Sequence, residues 1–244
     1  MATKSRDRIG VRLERRVLAD DAYETLKALI LDQAVPPDSA MSIDALADEL
    51  GVSQTPVRGA LLRLEGDGLV TKRANGRYRT APLLGGEMFE HLYEARLQLE
   101  PFAATLAARH VTPAQLDILH RADGEMSKAP TGGVSTEYGQ FAALDARFHD
   151  MVATASGNPY VRDAIHRLHS HYALARLYRH HGVIDAPAAV GEHHSILSAI
   201  ESGDGRAAGE RMRNHIERSR LHLRALIRGS RAQREATATI SAGG

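Results

Sequence analysis

The sequence predicts a mainly α protein in two parts: a small N-terminal module of three helices closed by a β-hairpin, and a C-terminal all-α antiparallel bundle. Three observations carry this. Apolar residues recur at helical spacing through most of the 244 residues. The one strand-like stretch is short and brackets Asn75-Gly76, a strong hairpin signal. Charge and histidine are partitioned along the chain. Residues 1–16 carry a net +4, residues 17–52 a net −7 and residues 53–80 a net +4, so the formal net charge of +1 hides a pattern. All 13 histidines lie between His91 and His222. The connector PLLGG at 82–86 separates the two chemistries. The expected organisation is a flexible basic tail over 1–17, the first module over 18–82, the bundle over 83–228 and a second flexible tail over 229–244.

The N-terminal elements follow in order. Leu18, Ala22, Leu26 and Leu29/Ile30 are spaced for one face of a helix, and VPPDSA breaks it. Ser42 can cap a second short helix that buries Ile43, Leu46, Ala47 and Leu50, and Gly51 can end it in a left-handed conformation. A third helix follows in SQTPVRGALLRLEGDG. Ser53 can cap it, Pro56 fits its first turn, Val57, Leu61 and Leu64 point inward, and Gly66 and Gly68 stop it. LVTKRANGRYRTA then supplies the hairpin. This order is that of a winged helix-turn-helix with a small β-hairpin wing. Gln54 and Arg58 share one helical face with Thr55 beside them, opposite Leu61 and Leu64. Lys72, Arg73, Arg77 and Arg79 flank the hairpin tip. Positive charge thus falls on the elements that would meet a DNA duplex, and the −7 falls on two helices expected to face away. Release of counterions from phosphates makes that separation weigh more than net charge. The competing reading is a helical domain with solvated arginines.

The stretch LADELGVSQTPVRGALLRLEGDGLV resembles the DNA-binding signature of GntR-type bacterial transcription regulators over about residues 18–82. The resemblance implies that Arg58 contacts DNA and that Ser53 and Thr55 lie near phosphates. Three departures stand out. Gly59 replaces the usual Glu, Gln54 stands where a basic residue is common, and AVPPD stands where Gly commonly precedes the turn. They should alter operator preference and leave the fold intact.

The C-terminal part reads as almost all helix. Met88, Leu92, Ala95, Leu99, Phe102 and Leu106 form a stripe in its first helix, which Pro101 should bend or restart. Further helices are expected at about 113–127, 136–155, 159–180, 187–201 and 204–228, with antiparallel packing through short loops. Asp145 and His149 are one turn apart on a face shared with Phe141, Phe148 and Val152. His193 lies on a stripe with Ala189, Ile196, Leu197 and Ile200, whereas His194 falls at its edge. His215 lies inward with Met212 and Leu223. Three helices thus each aim a metal-competent side chain inward, the alternative being hydrogen-bonded core histidines. The chain has no cysteine, so any such site must use nitrogen and oxygen.

EARLQLEPFAATLAA, ALDARFHDMVATASGNPYV, EHHSILSAIESGD and NHI resemble the FCD effector domain of the FadR subfamily over about residues 88–225. In many of its members a metal is held by an Asp, a His one turn later and two further His. By resemblance these are Asp145, His149, His193 and His215, with His193 preferred over His194 because Ile196 follows at the family's spacing. The implied cofactor is a divalent ion, zinc first, with nickel, manganese or iron as alternatives. Arg96 matches a segment whose Arg lines the effector pocket. Its plain alternative is a helix-surface Arg paired with Glu100 at i+4. The other histidines, including His166, His169, His171, His180 and His181, are expected at the surface or around the pocket. His222, seven residues after His215, is a weaker candidate for the pocket. Asn158 is expected to cap a helix.

The expected function is a ligand-responsive DNA-binding transcription regulator, a repressor in the first instance. It would act as a homodimer on a pseudo-palindromic operator and respond to a small organic or sugar acid. No apolar run is long enough to span a membrane, and the charged N-terminus lacks a secretory h-region, so a cytoplasmic location without a membrane partner is expected. A metal-dependent hydrolytic enzyme with a DNA-binding head is the alternative. Against it stand the absence of HExxH and of a phosphate-binding Gly loop, and a helical phase that points Glu192 and His194 away as bases. A regulator with a purely structural metal is the third reading.

Overall fold

The structure is a computed structural model that describes residues 14–31, 34–129, 135–176 and 186–242. In chain order it runs α1 (Glu14–Leu31), β1 (Ala40–Met41), α2 (Ile43–Leu50), α3 (Gln54–Gly66), β2 (Val70–Lys72), β3 (Tyr78–Thr80), α4 (Gly86–His110), α5 (Pro113–Met126), α6 (Ser135–Ala155), α7 (Pro159–Arg176), α8 (Ala186–Glu201) and α9 (Gly205–Ala242). It is mainly helical, with a winged helix-turn-helix ahead of a helical C-terminal part.

In the N-terminal module the local signals fix the element ends. Ser42 accepts the Ala45 N–H, and Gly51 ends α2 at φ +65°. Ser53 sits at the N-cap of α3 without a side-chain cap hydrogen bond. Leu26, Val57, Ala60, Leu61, Leu64 and Leu69 are fully buried together. Leu18, expected in this core, is 44% exposed, whereas Ala22, Tyr23, Leu26 and Ile30 of the same helix are buried. The hairpin closes through Arg73 N–H to Arg77 C=O and Gly76 N–H to Arg73 C=O, with Gly76 at φ +78°. That is a three-residue loop with glycine in the left-handed position. Sequence patterning misses β1. Two residues carry no periodicity, and β1 exists only through antiparallel pairing with β3, giving strand order β1-β3-β2.

In the C-terminal part α4 lies along α9, which also packs on α8, while α6 packs on α4, α5 and α7. The buried face of α4 differs from the expected stripe. Phe89, Leu92, Tyr93, Arg96, Leu97, Glu100, Ala104 and Ala107 point inward, whereas Met88 and Phe102 are exposed. The inward face carries a charge pair and several alanines, which apolar patterning assigns to solvent. α4 runs through Pro101 without restarting. At this level α9 approaches closely. A Cβ on Gly209 would lie 2.5 Å from Thr105 Oγ1 and 3.2 Å from the Pro101 carbonyl, so glycine is required there. Glu90 accepts hydrogen bonds from Arg220 and Arg224 and ties the other end of the same helix pair.

Two element ends differ from expectation. α1 begins at Glu14, inside the expected tail. α9 continues to Ala242 rather than stopping near 228, since after Gly229 the chain offers Arg, Ala, Gln and Glu, all good helix formers, and no proline. The expected helix end at 180 lies outside the described residues. Within the expected connector, Leu83 and Leu84 pack against both the N-terminal core and the bundle core. Among the described residues no helix is long and apolar enough to cross a membrane.

Candidate metal centre and nucleic-acid surface

Asp145 and His149 come from consecutive turns of α6, His193 from α8 and His215 from α9. Each is placed by the apolar residues of its own stripe: Phe148 and Val152, Ile196 and Leu197, Met212 and Ile216 are all essentially inaccessible. One ligand atom from each of the four residues falls in a group whose members lie within 4.8 Å of one another. His215 Nε2 is 3.2 Å from His149 Nε2 and 3.2 Å from His193 Nε2. Asp145 oxygens lie 3.6 Å from His193 Nε2 and 4.0 Å from His149 Nε2. All four side chains are buried, and Phe148 packs on the His193 ring at 4.5 Å between centroids.

The donor set fits a divalent ion. Three imidazoles and one carboxylate are oxygen and nitrogen ligands suited to zinc and its neighbours. Burial pushes the His149 imidazolium pKa below its ordinary 6.5, against the pull of Glu100 and Asp145. A neutral ring offers a lone pair, which is the form of imidazole that can coordinate a cation.

His194 is placed otherwise. Its side chain is 71% exposed and its Nδ1 meets Asp123 Oδ2 at 3.1 Å. His166 is exposed and paired with Asp150. The side chains of His169 and His171, and residues 180 and 181, lie outside what the structure describes. Asn158 caps α7 by accepting the N–H groups of Tyr160 and Val161.

Sequence reasoning missed two residues behind the cluster. Glu100 enters the sequence reading only in the alternative for Arg96, as its partner on the helix surface. The pairing exists, Arg96 Nε to Glu100 Oε1 at 2.5 Å, but the pair is buried, and Glu100 Oε2 also lies 2.5 Å from His149 Nδ1. Arg96 itself is fully buried, so it is not a helix-surface residue. Glu192, expected to point away, accepts from His215 Nδ1 at 2.9 Å and from Arg218 at 2.8 Å. Position 192 is adjacent to a ligand but about 100° round the helix, and only the location of α9 shows that this side is occupied.

On the N-terminal module, Ser53, Gln54, Thr55, Arg58, Lys72, Arg73 and Arg77 are all exposed. The acidic residues do not all face away. Gln54 Nε2 donates to Asp44 Oδ1 at 2.5 Å, and Arg58 donates to Gln54 Oε1 at 3.2 Å. Asp38 accepts from Arg79 at 2.8 Å and from Arg73 at 3.1 Å, and Arg79 holds its carboxyl below the usual carboxylate range. Arg63 contacts Asp20 and lies 3.9 Å above the Tyr23 ring, so it fastens α3 to α1.

Comparison with known proteins agrees with this division. Residues 18–78 match the family described as bacterial regulatory proteins, gntR family, and residues 91–218 match the FCD domain. The HTH-type transcriptional regulator YdhC of Bacillus subtilis (strain 168) is 25% identical over 205 residues, 84% of this chain and 90% of its own. The HTH-type transcriptional repressor GlaR of Escherichia coli (strain K12) is 25% identical over 205 residues, 80% of this chain and 91% of its own. The solved structure of E. coli McbR/YncC has the same fold, with TM-score 0.72 at 22% identity, covering 84% of this chain and 96% of that one.

Proposed function

The chain belongs to the gntR family of bacterial regulatory proteins and carries an FCD domain, and we propose that it is a metal-binding, effector-responsive repressor. It is a DNA-binding transcription regulator, and the families and relatives it matches are regulators rather than enzymes. We place one divalent ion, zinc first, between Asp145, His149, His193 and His215. The observation behind this is the convergence of three buried imidazole nitrogens and a carboxylate from three helices. When bound, the ion would supply an electrophilic centre for a carboxylate effector, a small organic or sugar acid. Arg96 is the candidate cation for that carboxylate, in competition with Glu100, its present partner.

The DNA-contacting set is Ser53, Gln54, Thr55 and Arg58 on α3 with Lys72, Arg73 and Arg77 on the wing. Gln54 and Arg58 reach base edges, Arg73 exchanges Asp38 for a backbone phosphate, and Lys72 and Arg77 meet phosphates beside it. A cytoplasmic homodimer would present two such surfaces to a pseudo-palindromic operator. The repressor assignment follows GlaR, which bears that description. The test is a gel shift on the DNA flanking its gene, with zinc-loaded and metal-stripped protein, against a panel of small carboxylic and sugar acids. A zinc-dependent loss of the shifted band with one acid supports the reading. Identical release from stripped protein contradicts it. A second reading, in which the ion is purely structural, draws on the placement of its ligands on three core helices. It predicts that stripping lowers thermal stability but leaves effector release intact.

A further inference from the structure

The carboxylates behind the cluster differ from the ligands in what they can do. Glu100 Oε2 lies 2.5 Å from His149 Nδ1, and Glu192 Oε2 lies 2.9 Å from His215 Nδ1. An ionised carboxylate only accepts, so a ring nitrogen this close to one must carry its proton. At His215 the contact is a hydrogen bond and places the proton on Nδ1; at His149 the carboxylate is closer but lies off the hydrogen-bond direction, and its charge favours the same proton position. Nε2 is then the lone-pair atom of each ring, and the Nε2 atoms are the ones that converge at 3.2 Å. Each carboxylate is itself held by an arginine, Glu100 by Arg96 and Glu192 by Arg218. The third ring is held differently, with His193 Nδ1 3.0 Å from the Met126 sulfur and Phe148 against its face. A thioether is a weak acceptor, so His193 Nδ1 is held less firmly than His215 Nδ1 is by its carboxylate.

Resting on the metal-site reading above, we infer that Glu100 and Glu192 are positioning residues that fix the Nδ1–H tautomers of His149 and His215 and thereby set the affinity of the centre for its ion. The two are not equivalent. The Arg96–Glu100 pair is sealed in the core, whereas Glu192 is one-quarter exposed and its arginine nearly half exposed. Glu192 can thus be changed without stranding a buried charge, and Glu100 cannot.

The experiment uses the full chain, zinc in competition with a chromogenic chelator, and nitrogen NMR of the imidazoles. Glu192→Ala should lower zinc affinity about 10- to 100-fold. Glu192→Gln, whose amide oxygen still accepts from Nδ1–H, should keep most of it. The double variant Arg96→Met/Glu100→Gln removes the buried charges together and reports on the other carboxylate. In metal-free protein both His149 and His215 should be Nδ1–H tautomers. Glu192→Ala should release His215 to a tautomer mixture and leave His149 as it was. Wild-type zinc binding matched within twofold by Glu192→Ala, or a His215 tautomer indifferent to Glu192, overturns the inference. If the wild type takes up no zinc, the metal reading fails by itself, and the tautomers of the metal-free protein still decide the role of the carboxylates.

Discussion

His149 and His215, 66 residues apart in sequence and on different helices, face each other through their Nε2 atoms at 3.2 Å in the interior of the bundle. Burial holds the His149 imidazolium pKa below 6.5 and so favours its neutral ring. In metal-free protein the unfolded chain therefore binds a proton at His149 more readily than the folded chain does. Stability contributed by this group is complete above pH 6.5 and falls as the pH drops below that value. Urea midpoints of stripped protein should decline from pH 7.5 to 5.5, and His149→Gln should flatten that decline. A midpoint that rises on acidification would contradict a buried neutral ring.

Arg58→Ala removes the exposed guanidinium of α3 that lies one turn from Gln54. Loss of a base contact of this kind costs about 1–3 kcal/mol, or roughly 5- to 150-fold in operator affinity. Competition gel shifts should show the loss on the operator and little change on unrelated DNA. Equal weakening on both would make Arg58 a phosphate contact.

Gly59 stands in the middle of α3, and a Cβ there would meet nothing closer than Ala19 Cβ at 3.9 Å. Gly59→Ala should stabilise the DNA-binding module by about 0.5–1 kcal/mol by lowering the entropy of the unfolded chain. Thermal unfolding reads this directly. A drop in midpoint would mean that α3 uses its glycine to bend.

Arg96 and Glu100 are a buried pair, so truncating one leaves the other charge in the core. Arg96→Ala should cost about 3–5 kcal/mol in chemical denaturation and lower zinc affinity through Glu100. The double variant Arg96→Met/Glu100→Gln should recover most of the stability. A near-neutral Arg96→Ala would show that Glu100 accepts a proton on losing its partner.

The legible parts were those governed by local chemistry. Ser42, Gly51 and Asn75-Gly76 announce turns and caps within a few residues of themselves, and the ligand helices bury the apolar stripes that their spacing gives. The face of α4 was not legible. Arg96 and Glu100 neutralise each other inside the core, which turns two polar positions inward and leaves Met88 and Phe102 outside. Glu192 was missed because its partner His215 is on another helix. Asp44 and Asp38 were misread because regional charge does not say which carboxylate bends back to an arginine.

Elemental analysis of the purified full chain after equilibration with zinc and desalting tests the centre most directly. One ion per chain is expected in the wild type and in His194→Ala, whose ring is exposed beside Asp123, and none in His193→Ala, whose ring is sealed against His215. Equal zinc in both variants, or none in the wild type, would contradict a metal held by Asp145, His149, His193 and His215.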